Sequence, residues 1–339
     1  MKSIICLFTL FVFFTLSVGA QNKKFIFTEN KMGSPFNLIF VTNDSLKAHL
    51  IAHDCFNLID SLSQIFSDYD TTSEVNKINA SAGLKPIQVS PAMLDLLLVS
   101  KQAYHKSLGA YDITIGPLSL LWRKARKRQE FPNKAAIATA LSLTGFSRVQ
   151  LDSEKAIIFL PKKGMRLDFG GIAKGYIAQW IIDYLKSRGI KEALADAGGD
   201  ISMSGAPFNY KGWLVGVNVP ETADDLLSKK LELMHLSVAT SGDVYQFIEK
   251  EGIKYSHIIH PKTGYGVTSL RNVTVIAPSG ASADWLATAC SILPIEVAKK
   301  VALQNQAQLL ITTIQKGKIK YDTTPGFNKY WKPLSTIQP

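Results

Sequence analysis

Two short segments, more than a hundred residues apart, constrain this chain most: DFGGIAKG, from Asp168 to Gly175, and SADWLAT, from Ser282 to Thr288. In the first, Gly170 and Gly171 carry no side chains, so backbone groups can approach a ligand, and Lys174 offers a cation that can reach a phosphate oxygen. In the second, Asp284 and Thr288 are four apart, so on a helix they share one face and present a carboxylate beside a hydroxyl. Hard oxygen donors of this kind suit Mg²⁺, which commonly takes one or two protein oxygens and completes its shell with water and substrate phosphate. Together the segments supply what a magnesium-bound pyrophosphate needs, provided the fold brings them together.

Each half alone also has a plainer reading. The GG-x-x-K-G loop fits neither the Walker pattern nor the dinucleotide fingerprint, and glycine pairs also serve as turns or tight packing points. An Asp–Thr pair on an alanine-rich helix also reads as a solvated face or a capping pair.

The first twenty residues read as a secretory leader: Lys2, an apolar run from Ile4 to Val18, then Val18-Gly19-Ala20 before polar Gln21. The run is too short for a good membrane span, and Cys6 lies inside it, not at a lipoprotein attachment position. The expectation is a soluble, exported, periplasmic or extracytoplasmic protein whose domain occupies residues 21–339. Only Cys55 and Cys290 remain in that stretch, which excludes a disulfide framework and favours two buried free thiols. The net charge of +11 could suggest nucleic acid, most pointedly at WRKARKRQ (Trp122 to Gln129). An exported protein rarely meets nucleic acid, and a basic run after an apolar segment reads as a solvated helix end; the positive surface also favours an anionic dinucleotide.

Periodicity places a strand over 36–42, a helix over 45–66, and a helix over 91–108 opened by Ser90 and Pro91. A helix is expected over 134–144, a strand-like run over 149–160, and a helix over 173–188 that begins inside the glycine motif. That last start sets the amides of Gly170 to Ile172 near a helix N-terminus, where an anion is favoured. Strands follow over 192–195, 213–219, 231–238 and 273–277, the last ended by Pro278. A final helix from near Ser282 and a hairpin of 308–314 with 318–322 around Gly317 complete the reading. Strict βαβ alternation is missing, so the fold class is α+β with mostly antiparallel sheets flanked by helices.

Beyond the two opening segments, KMGSPFN (Lys31 to Asn37), SDYDTTSEVNKIN (Ser67 to Asn79), GAYDITIGPLSLLW (Gly109 to Trp122), ADAGGDI (Ala195 to Ile201), ATSGDVY (Ala239 to Tyr245), YSHIIHPKTG (Tyr255 to Gly264) and VTVIAPSGASADWLATA (Val273 to Ala289) occur in order. In these segments the chain resembles the ApbE family of FAD:protein FMN transferases over nearly all of its mature length. The resemblance implies binding of FAD, Mg²⁺-dependent cleavage of its pyrophosphate, transfer of the FMN half to a Thr or Ser hydroxyl of an exported acceptor flavoprotein, and release of AMP. It implies acceptors such as subunits of quinone reductases or Rnf-type complexes, with peripheral approach to membrane complexes.

By the same resemblance, Asp284, Thr288 and the carbonyl of Gly171 are the metal positions, and Lys174 contacts the dinucleotide phosphates. Met32, Ala110, Tyr111, Asp112 and Asp168 line the flavin dinucleotide site, Tyr111 with a ring to pack on an aromatic face and Asp112 with an acceptor for ribose or ring N–H. Asp168 also reads as a brace of the glycine loop. His257, counted with the dinucleotide-site residues, could accept the acceptor hydroxyl's proton or orient the substrate, because an unperturbed imidazole titrates near neutrality; a structural histidine is the competing reading. Gly242 and the run Gly198 to Asp200 read as scaffold, and Asp243 is the one acid among them to test. Three positions depart from the family pattern: Ile113 for proline, His260 for Asp or Asn, and Ser34 for threonine. Two rival functions remain: Mg²⁺-dependent FAD hydrolysis to FMN and AMP, and a flavin carrier without chemistry, which would not need the Asp284–Thr288 pair.

Overall fold

The computed structural model describes residues 21–218, 226–242, 246–269, 271–316 and 318–333; the leader over 1–20, Asp243 and Gly317 lie outside them. The described chain opens with a hairpin. β1 (Lys23–Lys31) and β2 (Ser34–Thr42) pair antiparallel with Lys31 opposite Ser34, leaving only Met32 and Gly33 in the turn. Both have positive φ, 53° and 76°, as the type I′ turn requires. α1 (Ser45–Phe66) follows, capped by the Asp44 side chain accepting the Lys47 N–H. Its buried Ala48, Ile51, Ala52, Cys55, Ile59 and Leu62 recur at three and four spacing, the pattern of a helix with one face on a core.

α2 (Glu74–Ala80), β3 (Ile87–Gln88) and α3 (Pro91–Lys106) come next, then α4 (Gly116–Arg128) and α5 (Lys134–Ser142). The expected strand over 149–160 is instead a hairpin, β4 (Gln150–Asp152) and β5 (Ile157–Phe159), turned by Ala156 at φ 51° and paired to β3. α6 (Ala173–Ser187) starts inside the glycine motif as expected. β6 (Ala193–Ala197), β7 (Ile201–Met203) and β8 (Trp213–Val215) lead to a second correction. The single strand expected over 231–238 is two, β9 (Lys229–Leu233) and β10 (Ser237–Ser241), in different sheets, with His235 at φ 55° between them. β11 (Phe247–Lys250) and β12 (Ile253–Ser256) form a hairpin, and β13 (Arg271–Ala277) ends just before Pro278. α7 (Gly280–Ile292) begins two residues earlier than expected, capped by Ser279, and is followed by α8 (Ile295–Gln304). β14 (Gln308–Gln315) and β15 (Lys318–Thr323) make the expected hairpin, and β16 (Trp331–Pro333) ends the described chain.

The frame is an eight-stranded sheet in the order β1-β2-β6-β7-β10-β13-β14-β15, antiparallel at every pairing. Period-two alternation sorts its side chains between two cores. Phe36, Leu38 and Phe40 of β2, Ala193, Ala195 and Ala197 of β6, and Val273, Val275 and Ala277 of β13 pack with α1, α6, α7 and α8. Leu194, Met203, Ile276 and Leu310 point the other way, onto Trp213, Val215, Leu231 and Leu233 of the small sheet β16-β9-β8. Small alanines on the β6 face let α6 lie close to the sheet. A third cluster joins α4 and α5 to the β11–β12 hairpin through Leu118, Trp122, Ile137, Ile248 and Ile259; the Trp122 indole N–H donates to Gly264 O at 2.8 Å. Fully burying each such side chain contributes roughly 1.5–3 kcal/mol relative to leaving it exposed.

The α+β class with antiparallel sheets is therefore what the chain adopts. Cys55 and Cys290 are buried and free, and burial pushes both thiols up to about 12. Among the described residues, no helix is long and apolar enough to cross a membrane.

Candidate functional site

The site is built on the crossing of α6 and α7. A Cβ at Gly175 would run into the carbonyl oxygen of Gly280, and one at Gly280 into that of Gly175, so the helices meet backbone to backbone. No side chain of α6's own start caps it, since Ile172 holds the N-cap position. The acceptor comes from α7: Asp284 Oδ2 receives the Gly175 N–H at 3.0 Å. A carboxylate here meets one orphan donor and the positive end of the helix. Asp284 is buried, and burial pushes its carboxyl up to about 7 against the opposing pull of the Gly175 N–H and the Lys174 charge. One turn on, Thr288 meets the glycine loop: a Cβ at Gly171 would lie 2.7 Å from Thr288 Oγ1. The structure thus brings Gly171, Asp284 and Thr288 together, and only a glycine at 171 admits the hydroxyl so close.

Lys174, in the first turn of α6, donates its Nζ to Ser34 Oγ at 3.1 Å, just after the Met32–Gly33 turn. Met32 is partly buried against the main core, held in a backbone region that costs a non-glycine residue energy. The sequence predicts scaffold roles for Gly198 to Asp200. The glycines fill them, while the half-buried Asp200 feels the charges of the site: burial first, then the Asp284 charge, push its carboxyl well above the usual range, and Lys174 pulls it down. The only sequence signal was an acid following a glycine pair.

Asp168 braces the loop, its Oδ1 accepting the Gly170 N–H at 2.8 Å. Its Oδ2 lies 3.7 Å from Arg123, which also pairs with Asp68 at 3.0 Å and stacks 4.1 Å over the Tyr69 ring. The basic run therefore is not wholly a solvated helix end: Arg123 is tied to the glycine loop, and Tyr69, 76 % exposed, offers a ring at its rim.

Ala110 and Tyr111 are buried next to this region. Tyr111 lies with its ring 6.4 Å from Trp285 and only 5 % exposed, so its faces are packed inside the protein, where the sequence reading expected one to meet a ligand. Burial, and after it the charges of Asp284, Asp168 and Asp112, push its hydroxyl well above the ordinary range. Asp112 differs similarly from expectation. Its Oδ1 accepts the Thr114 N–H at 2.8 Å and the Thr114 hydroxyl at 2.6 Å, and its Oδ2 accepts the Phe146 N–H at 3.0 Å. Three of roughly four acceptor sites are used, so the side chain acts first as a brace. It borders a cavity of about 370 Å³ lined also by His105, Gly109, Thr144, Pro261 and Lys262.

His257 follows β12, its backbone N–H bonded to Gln246 O at 2.7 Å. Burial, with the Arg126 charge second, pushes its imidazole down to about 4, which replaces the expectation of a group titrating near neutrality. His260 is a turn residue: its Nδ1 accepts the Lys262 N–H at 3.1 Å and its carbonyl accepts the Gly264 N–H at 2.8 Å. At Gly242 a Cβ would strike the Asn272 side chain, the close approach that a scaffold glycine permits.

The donors gathered at the crossing are oxygens, the Asp284 carboxylate beside the Thr288 hydroxyl with the Asp200 carboxyl near them, and among the described residues no group of three His, Cys, Asp or Glu forms a metal site by itself. That set fits Mg²⁺ completed by substrate phosphate, and not a softer transition metal.

Known proteins resemble this chain in sequence and in fold. The chain is 32 % identical over 266 residues to a FAD:protein FMN transferase of Klebsiella pneumoniae, covering 78 % of this chain and 81 % of that protein. It is 29 % identical over 272 residues to a FAD:protein FMN transferase of Treponema pallidum, covering 76 % and 75 % of the two. The crystal structure of Pseudomonas stutzeri flavinyl transferase ApbE, apo form, superposes with a TM-score of 0.79 at 27 % identity over 91 % of this chain and 97 % of that one. The ApbE family model matches residues 32–311. That span runs from the Met32 turn into β14 and encloses the glycine loop, α6 and α7, so the chain belongs to the ApbE family.

Proposed function

We propose that this protein transfers the FMN moiety of FAD to a threonine or serine hydroxyl of an exported acceptor protein, with Mg²⁺, releasing AMP. The observation that carries the reading is the meeting of Gly171, Lys174, Asp284 and Thr288 at one helix crossing. The Asp284 carboxylate, the Thr288 hydroxyl and the Gly171 carbonyl would hold the ion. When bound, Mg²⁺ supplies charge neutralisation of the pyrophosphate and of the leaving phosphate.

The chain's own residues do the rest. Lys174 holds phosphate oxygens in a fixed position, where charge grows as the bond to AMP breaks; the expected amide cradle is largely spent within the protein, since the Gly170 N–H donates to Asp168, the Ile172 and Ala173 N–H groups to Phe169 O, and the Gly175 N–H to Asp284. The acceptor oxygen attacks the phosphorus of the FMN half, the new O–P bond forms, and the bond to the bridging oxygen breaks, so AMP leaves with that oxygen. His257 is neutral at neutral pH and can accept a hydrogen bond from the incoming hydroxyl, orienting it; a base as weak as this one takes the proton poorly. Orientation is accordingly its role, and the hydroxyl proton passes to solvent. Met32, Ala110 and the cavity beside Asp112 flank the dinucleotide. The leader over residues 1–20 directs the chain out of the cytoplasm, to where its acceptor resides.

The test incubates the chain from residue 21 with FAD, Mg²⁺ and a candidate exported acceptor domain. A gain of one FMN on the acceptor by mass spectrometry, matched by AMP, supports transfer. Free FMN with an unmodified acceptor means hydrolysis, and unchanged FAD that stays bound means a carrier.

A further inference from the structure

Lysine carries its charge on a flexible four-carbon stem, and a free ammonium must be ordered before it can grip a phosphate. Lys174 is already held. Its Nζ donates to Ser34 Oγ at 3.1 Å, and that hydroxyl makes no other hydrogen bond among the described residues. Ser34 is itself fixed, as the first residue after a two-residue turn in register with Lys31. Behind it Gly198, at φ +72°, leaves just enough room: a Cβ there would run into Ser34 Oγ and stand 3.4 Å from Lys174 Nζ. The turn holding Gly198 is anchored in turn, Asp196 accepting the Gly199 N–H at 2.7 Å and the Asn37 amide at 3.1 Å. Three segments distant in sequence therefore converge on one ammonium group.

We propose that Ser34 is the positioning residue for Lys174: its hydroxyl aims the ammonium at the pyrophosphate before the dinucleotide arrives. The inference rests on the transferase reading and adds to it the device that pre-orders the phosphate contact. While accepting from Nζ, the hydroxyl keeps its own proton as a donor, so Lys174 and Ser34 can offer two donors to one phosphoryl group. Threonine would preserve that hydroxyl; alanine would not.

The experiment measures FAD affinity by flavin fluorescence with Mg²⁺, and the melting temperature, for wild type, Ser34→Ala, Ser34→Thr, Lys174→Ala and the double variant Ser34→Ala/Lys174→Ala. Ser34→Ala is expected to weaken FAD binding about three- to tenfold, the size of one lost hydrogen bond, without changing the melting temperature. Ser34→Thr should restore binding, and in the Lys174→Ala background removal of the Ser34 hydroxyl should have no further effect, because the two residues act as a unit. Wild-type affinity in Ser34→Ala, losses that multiply in the double variant, or a loss that tracks a lowered melting temperature would each overturn the inference alone. A wild type that does not bind FAD would overturn it together with the transferase reading.

Discussion

The N–H of Gly175 donates to Asp284 Oδ2 at 3.0 Å across 109 residues of sequence. One helix thus caps the other, and the capping carboxylate is also the proposed metal ligand. The dual role separates two substitutions. Asp284→Asn keeps an acceptor for the N–H and removes the charge, so turnover at saturating Mg²⁺ should vanish while the melting temperature holds. Asp284→Ala should abolish turnover and also destabilise, by about 1–3 kcal/mol, because a buried donor loses its partner. The fold is thus less indifferent to this residue than a purely metal-binding role implies. Parallel activity assays and urea melts of the two variants check this.

Gly175→Ala places a methyl group against the Gly280 backbone, which cannot turn aside as a side chain could. Overpacking of this kind costs typically about 1–3 kcal/mol. A clear drop in denaturant midpoint, with turnover lost in step as Asp284 moves from the glycine loop, is the expected result.

Lys174→Ala should weaken FAD binding roughly ten- to a hundredfold, the range of a charge-assisted contact of about 1.5–3 kcal/mol. Riboflavin, which lacks phosphate, should bind wild type and variant alike. Titration of both ligands distinguishes a phosphate contact from loss of loop structure, which would weaken both equally.

His257 makes a pH-dependent contribution whose sign is fixed by its depressed pKa. The folded group titrates at about 4 and the unfolded one near 6.5, so between these values the unfolded chain binds more protons. Stability from this residue is present above pH 6.5 and is lost as pH falls toward 4. Thermal melts across that interval should show a steeper acid decline for wild type than for His257→Gln. The activity profile, for its part, should show no acid limb near pH 6.5 from this imidazole.

Much of this was legible in the chain, and the parts that were not share a cause. α6 and β13 announce themselves through periodicity and punctuation, and the glycine loop and α7 carry their own chemistry. The break between β9 and β10 was hidden because it falls at Met234–His235, with no glycine, asparagine or aspartate to mark a positive φ. β1 escaped notice because it is exposed along much of its length and only Phe25 and Phe27 pack inward. The charge contacts of Asp200 and Arg123 depend on partners in other elements, Asp284 for one and Asp168 for the other, and local pattern says nothing about such pairs. Nor does it say that Gly175 and Gly280 touch.

The strands of the large sheet stand side by side in the order in which they are synthesised. Each strand after the first is therefore added beside the one before it in the chain's order of sheet strands. Such an architecture behaves like a chassis with exchangeable fittings. The β11–β12 hairpin and His257 ride on the excursion between β10 and β13, whereas Lys174 and Asp284 are carried on helices belonging to two other excursions. An insertion or exchange in the first excursion therefore leaves the chain order and sheet positions of the other two unchanged.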